Sequence, residues 1–416
     1  METSSSTIKQ KWKLCAFASI IGCFILMLCL NKNHNSVRLL AFQNKNTINI
    51  ISSPEPSSSI ENEKPINGTK SIGHCNIFDG RWVYKPTDSP PLYDEFQCPF
   101  LGDQVSCQRN GRPDFDYENW SWEANDCEIP RFDGKDLLER LRGKRVIVVG
   151  DSLNRNQWES LACLLYSVVP SSRAHIHVQN GLHKLFVAKD YNCSVEFHWS
   201  PFLVQLDTSQ ANGTKVLRLD KLVTSAERWR GADIMVFNTG HWWVHRGKFR
   251  AWDLFGYRGE LAKEMDIESA VEMGMKTWAQ WIDDNVDSTK TIVFFRSISP
   301  EHKGKYWCYN VTLPIMDEES YAGDSFPKPV IEVVERTIRG MKTPVKYLNI
   351  TKLSEYRRDA HPTVYVAKKE KQQPVVDCSH WCLPGLPDTW NRLLYALLVF
   401  NTSRDTGAGS SSHGLV

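Results

Sequence analysis

Four short apolar runs punctuate the region from residue 145 to residue 348: Arg145–Val149, Asp233–Phe237, Thr291–Phe295 and Val345–Leu348. They are rich in β-branched and aromatic residues and lack polar alternation, the pattern of a strand buried on both faces. Segments with helical spacing lie between and after them, at Asn156–Tyr166, Ile267–Asp284, Pro329–Met341 and Thr389–Phe400. Strand and helix in alternation predict an α/β domain: a central parallel sheet covered by helices on both faces, three layers in all.

The flanks read differently. Residues 1–13 are expected to be a cytosolic tail and 14–30 a transmembrane signal-anchor. Leu14–Leu30 carries no charge, and Lys9, Lys11 and Lys13 precede it, as the positive-inside rule favours for a lumenal body. A cleaved signal peptide is the competing reading, but the apolar run is long for one and ends in Leu30-Asn31-Lys32. Residues 31–73 are rich in Asn, Ser and Pro and read as a disordered stem. Residues 74–132 read as a loop-rich, disulfide-stapled subdomain, 133–401 as the catalytic domain, and 402–416 as a flexible Gly/Ser-rich tail.

Nine cysteines lie outside the anchor: Cys75, Cys98, Cys107, Cys127, Cys163, Cys193, Cys308, Cys378 and Cys382. They are dispersed, without a CxxC pair or zinc spacing, so disulfides are expected rather than a metal. An odd number leaves one free, and Cys193, inside a sequon, is the candidate. N-x-S/T triplets begin at Asn67, Asn119, Asn192, Asn212, Asn310, Asn349 and Asn401, in keeping with a lumenal location. A formal net charge of +2 in 416 residues excludes the strongly basic balance of a nucleic-acid binder.

In such sheets chemistry sits at the carboxyl ends of the strands, and Gly150-Asp151-Ser152 follows the first run there. A serine at a strand–turn–helix junction projects its hydroxyl above the sheet, where helix N-terminal N–H groups can hold an oxyanion. Alternatively, Ser152 is only an N-cap. Gly323-Asp324-Ser325 repeats the tripeptide without a preceding strand and reads as a loop, so context carries the signal. A serine nucleophile needs a base and an orienter. Among the 12 histidines only His380 has an aspartate three residues before it, Asp377. Cys378 and Cys382 flank it and would clamp its loop if both are disulfide-bonded, or else merely staple the C-terminal segment.

Two segments, Gly150-Asp151-Ser152-Leu153-Asn154-Arg155-Asn156-Gln157-Trp158-Glu159-Ser160 and Asp377-Cys378-Ser379-His380-Trp381-Cys382-Leu383-Pro384-Gly385, resemble the trichome-birefringence-like family of plant polysaccharide O-acetyltransferases. Cys75–Trp82, Cys98-Pro99-Phe100, Phe237–Trp243 and Leu353–Asp359 extend the resemblance over roughly 75–400, and the nearest branch is the one named for a yellow-leaf-specific protein. The resemblance implies an SGNH/GDSL-type PC-esterase fold with Ser152, His380 and Asp377 as the triad. It also implies a Golgi membrane location and acetyl transfer to a wall polysaccharide: xylan, xyloglucan, mannan or pectin.

On that reading His380 deprotonates Ser152, an acetyl-Ser152 ester forms, and a sugar hydroxyl takes the acetyl group. Arg155, Asn238 and Gly240 are candidate oxyanion residues, each with a structural alternative. Trp242, Trp243 and Tyr356 are candidates to line a glycan cleft, against the alternative of core packing. No metal and no tightly bound cofactor is implied. The acetyl donor is acetyl-CoA or a membrane relay protein. The rivals are an acetylesterase with the same triad and a non-catalytic protein that binds or bridges wall polymers.

Overall fold

A computed structural model describes residues 75–87, 91–179, 181–304, 307–316, 327–366 and 376–407. The segments expected as cytosolic tail (1–13), anchor (14–30) and stem (31–73), the second Gly-Asp-Ser at 323–325 and the chain after 407 lie outside the described residues. Among those described, no helix is long and apolar enough to cross a membrane.

The elements run β1 (Gly80–Tyr84), β2 (Trp120–Ala124), α1 (Gly134–Arg140), β3 (Arg145–Gly150) and α2 (Ser152–Tyr166). Next come β4 (Ala174–Gln179), β5 (His183–Ala188), β6 (Cys193–Trp199), β7 (Val204–Asp207), β8 (Val216–Leu222) and β9 (Ile234–Phe237). The chain continues through β10 (Leu254–Tyr257), β11 (Glu260–Ala262), α3 (Ile267–Asn285), β12 (Ile292–Arg296) and α4 (Lys328–Arg339). It closes with β13 (Val345–Leu348), α5 (Thr351–Glu355) and α6 (Leu386–Gly407). The four apolar runs are strands β3, β9, β12 and β13, and the four helical patterns are α2, α3, α4 and α6. Helix α6 passes the boundary expected at residue 401.

The main sheet has the order β13-β12-β9-β3-β6-β5-β4. From β13 to β6 the strands are parallel, while β5 and β4 join antiparallel. The expected central parallel sheet is thus present, extended on one side into a mixed sheet. The two extra strands form a hairpin, and they alternate in character instead of reading as continuous apolar runs. A second sheet, β11-β10-β8-β7, was also not anticipated, since its strands are short and half-polar.

Alternation along β3 sends side chains to opposite faces. Val146 and Val148 join the core under α2 and α6, whereas Ile147 and Val149 join the core under α3 and α4. The first core also takes in Ile77, Trp82, Phe100, Tyr117 and Trp122 from the N-terminal segment. Seven tryptophans (Trp122, Trp158, Trp229, Trp243, Trp278, Trp381 and Trp390) are fully buried, and Trp82 and Trp252 are buried as well, so nine of the chain's 15 indoles are core. Several satisfy their N–H on backbone: Trp82 on Leu353 O (2.8 Å), Trp122 on Ile77 O (3.0 Å) and Trp158 on Val195 O (3.1 Å).

Disulfides join Cys75–Cys127, Cys98–Cys163, Cys107–Cys382 and Cys308–Cys378. Two of the four tie the N-terminal segment to the α/β body. Cys193 is free and buried, and burial pushes its thiol up to about 12, which makes it inert rather than reactive. Of the sequons, Asn192, Asn212, Asn310 and Asn349 are exposed and Asn119 is half-buried.

In the first turn of α6 Asp388 is half-buried, accepting from Gly385 N–H (2.8 Å), Tyr93 O–H (3.0 Å) and Ser160 O–H. Burial raises its carboxyl to about 6, against the pull of those donors. A raised carboxyl stabilises the fold most below its unfolded value and loses that contribution as pH climbs through the folded one. Stability should therefore fall between about pH 4 and pH 6, by up to ~3 kcal/mol from this group. In Asp388→Asn the loss of unfolding free energy between pH 4 and pH 7, from urea melts, should be smaller than in the wild type by about that amount; an unchanged loss would contradict the assignment.

Candidate active site

Strand β3 ends at Gly150, whose φ of +157° suits glycine; a Cβ there would lie 1.9 Å from Asn238 Oδ1. The chain then turns into α2. Asp151 is the N-cap, accepting from Leu153 N–H (2.9 Å). Ser152 therefore occupies the first helical position and is not the cap, which removes the purely structural explanation for it. Its N–H, in the first turn, has no intrahelical acceptor.

From the other side, the loop after the Thr363↔Asp377 bridge brings in the base. His380 Nε2 lies 2.7 Å from Ser152 Oγ, and His380 Nδ1 lies 2.9 Å from Asp377 Oδ2. Since a carboxylate only accepts, Nδ1 carries the proton and Nε2 presents its lone pair to the serine hydroxyl. Asp377 Oδ1 accepts the backbone N–H groups of Ser379 and His380, both at 3.0 Å. Burial alone would raise this carboxyl; the His380 charge and the hydrogen bonds from His380 and Ser379 overcome it and hold Asp377 well below the usual carboxylate range. The structure thus brings together the three side chains singled out in the sequence.

A fourth residue was missed. Gln104, from the N-terminal segment, donates from Nε2 to Asp377 Oδ2 (3.1 Å), and Nε2 lies 3.0 Å from His380 Nδ1. Its Oε1 accepts from Arg155 Nη2 (2.8 Å). No spacing rule links residue 104 to residue 377, so no sequence signal marks it. Arg155, expected as an oxyanion group, instead engages Gln104, with Glu159 at 3.9 Å. Asn238 is likewise committed, its Nδ2 donating to Asp151 Oδ1 (3.2 Å) and its Oδ1 accepting from Asp151 N–H (3.3 Å). It holds the nucleophile turn. Gly240 (φ +150°) follows three residues after the end of β9, past Asn238.

Asp151 is itself buried. Burial would raise its carboxyl, but His241 (Nδ1 3.7 Å away) and the charge of Arg296 hold it far below the ordinary range. Buried Arg296 donates to Asn154 Oδ1 (2.9 Å), and Asn154 donates to Val149 O (2.7 Å), locking the helix start to the strand end. On the base side, His361 donates from Nδ1 to the His380 carbonyl (2.7 Å) and stacks on Trp381 at 3.8 Å.

Two of the glycan-cleft candidates take the core-packing alternative. Trp243 is fully buried, bonds Thr239 Oγ1 (2.8 Å) and packs on Phe202. Tyr356 is only 6% exposed and belongs to the core under α2 and α6. Trp242 is half-buried and sits edge-on to Trp199 and Phe202. Away from the triad, His183, Glu196 and His198 have ligand atoms within 4.8 Å of one another. Arg145 already spans the Glu196 carboxylate at 2.6 and 2.9 Å, however. A cation there would face a guanidinium, so the trio reads as an ion-pair cluster.

A serine at a strand–helix turn, a tautomer-fixed histidine and an ionised aspartate on a doubly covered α/β sheet define the acyl-transfer class of serine sites. The chain belongs to the PC-Esterase family, the GDSL/SGNH-like acyl-esterase family found in Pmr5 and Cas1p, whose profile matches residues 129–397. The PMR5 N-terminal domain matches 73–128. Among relatives, protein trichome birefringence-like 1 of Arabidopsis thaliana is 44% identical over 79% of this chain and 62% of its own length. Protein trichome birefringence, from the same plant, is 43% identical over 80% and 57%. A probable xylan O-acetyltransferase 8 of Oryza sativa subsp. japonica is 41% identical over 84% and 83%. The chain therefore spans less than two thirds of the first two relatives.

Proposed function

We propose that the chain transfers acetyl groups to hydroxyls of a plant cell-wall polysaccharide through an acetyl-Ser152 intermediate. The observation that carries this is the 2.7 Å approach of His380 Nε2 to Ser152 Oγ, with Nδ1 held by Asp377. The rice relative described as a probable xylan O-acetyltransferase supports the choice of acceptor class. His380 Nε2 takes the Ser152 proton as Oγ attacks the acetyl carbonyl, and the same proton passes to the departing donor group. A sugar hydroxyl then gives its proton to Nε2 and attacks the ester, and Ser152 leaves by taking that proton back. The Ser152 N–H together with Gly240, in the loop after β9, is the oxyanion assignment, and Trp242 is the acceptor-facing ring. Acetyl-CoA or a membrane relay protein is the donor. Golgi anchoring through 14–30, glycosylation at the exposed sequons and placement near the yellow-leaf-specific branch belong to the same reading.

The esterase reading is favoured by the family's description as acyl-esterases, and one experiment separates the two. The purified chain is incubated with an activated acetyl donor, then with deacetylated xylan, xyloglucan, mannan and pectin oligosaccharides, and followed by intact mass. An acetyl adduct on Ser152 that discharges onto one glycan is the expected result. Discharge to water alone would replace transfer by hydrolysis. No adduct with any donor, together with retained glycan binding, would favour a polymer-binding protein.

A further inference from the structure

We propose that the N-terminal PMR5-type segment is part of the catalytic apparatus, with Gln104 as the positioning residue that joins the nucleophile helix to the base loop. The inference rests on the acetyl-Ser152 reading and goes beyond it by giving that segment a task in the reaction.

The hydrogen bonds close a ring. Ser152 and Arg155 lie one turn apart on α2. Arg155 donates to Gln104 Oε1 (2.8 Å), Gln104 Nε2 donates to Asp377 Oδ2 (3.1 Å), Asp377 holds His380 (2.9 Å), and His380 meets Ser152 (2.7 Å). The direction of each bond is forced. A guanidinium only donates, so Arg155 requires the oxygen of the Gln104 amide, which turns the Gln104 NH₂ toward Asp377. That NH₂ adds a donor to the carboxylate oxygen that orients the imidazole. It also faces Nδ1 at 3.0 Å, where it can accept nothing, so the His380 Nδ1 proton has Asp377 as its acceptor. Arg155 is in turn steadied by Glu159, which also accepts from Gly102 N–H (3.3 Å) and pairs with Lys184.

Gln104 is not an isolated contact. One residue on, Val105 O accepts from Leu383 N–H (3.0 Å), and Cys107 is disulfide-bonded to Cys382. Residues 104–107 therefore grip the 377–383 loop at three points: side chain, backbone and covalent bond. A segment acting only as a separate glycan-binding module would have no need of a side chain between the triad aspartate and the nucleophile helix.

The test uses the full chain with Gln104→Met, which keeps length without hydrogen bonding, and Gln104→Glu, which keeps the acceptor for Arg155 but sets a second carboxylate against Asp377 and Nδ1. In Gln104→Met, acetyl-Ser152 formation should slow about 10- to 100-fold, the scale of a misplaced catalytic group. The acceptor KM and the melting temperature should stay at wild-type values. In Gln104→Glu the added negative charge favours the imidazolium, so the acid limb of the acylation rate should move to higher pH. A second readout does not need turnover: the His380 Nδ1–H proton signal in ¹⁵N-histidine-labelled protein should be sharp in the wild type and broadened in Gln104→Met. Wild-type acylation rate, pH profile and proton signal in both variants would overturn the proposal. If the wild type forms no acetyl-Ser152 while the proton signal still responds to Gln104, the acyl-enzyme reading fails and the positioning role stands.

Discussion

Asp377→Asn should leave the protein folded and reduce acetyl-Ser152 formation by about 10³- to 10⁴-fold. The reason lies in which oxygen does what. Asp377 Oδ1 accepts two backbone N–H groups, and Oδ2 faces two donors, His380 Nδ1 and the NH₂ of Gln104. An asparagine keeps its carbonyl oxygen on the two backbone N–H groups and so turns its NH₂ toward His380 Nδ1 and Gln104. Donor would meet donor at both contacts. The imidazole escapes by moving its proton to Nε2, where it faces Ser152 as a donor and cannot receive the serine proton. Ser152→Ala, by contrast, removes the attacking atom and should abolish the adduct without touching this tautomer. Rapid-quench mass spectrometry of the adduct, beside thermal melts, checks both. A normal burst in Asp377→Asn would mean that the histidine is not the base.

Much of this site was legible in the sequence because its signals are local. Gly150-Asp151-Ser152 follows a strand and opens a helix, and Asp377 precedes His380 by the three residues that let one turn join them. The four apolar runs were legible for the same reason, being continuous where a doubly buried strand has to be. What escaped is non-local or half-exposed. The hairpin strands β4 and β5 alternate in character, though Asn180-Gly181 between them is a strong hairpin dipeptide in sequence terms. Gln104 is one glutamine among many until the fold carries it to Asp377. For Arg155 and Asn238 the sequence leaves an oxyanion role and a structural role both open, because position on a helix or strand edge does not reveal which acceptor the side chain finds. Trp243 and Tyr356 illustrate the same limit: adjacent Trp242 and Trp243 look alike in sequence, and only the packing sends one into the core.

The disulfides allow a comparison between two staples of similar thermodynamic weight and different consequence. Cys107–Cys382 closes 275 residues of sequence separation and Cys75–Cys127 closes 52. Loop-closure entropy grows only logarithmically with length, so removing either is expected to cost about 4–6 kcal/mol. Their positions differ sharply. Cys382 lies two residues from His380, its sulfur is 3.4 Å from Arg112 Nη1, and that guanidinium also holds the carbonyls of His361 (2.9 Å) and Asp359 (2.8 Å). Cys75–Cys127 ties together the two ends of the N-terminal segment, with neither cysteine next to a triad residue in sequence. At a temperature where both variants remain folded, Cys107→Ser/Cys382→Ser should slow acetyl-Ser152 formation by about 10- to 100-fold, because the base loop loses its fixed register against Ser152. Cys75→Ser/Cys127→Ser should melt earlier and acylate at the wild-type rate. Equal rates in the two double variants would show that the base loop is held by Val105, Gln104 and Cys308–Cys378 without help from Cys107.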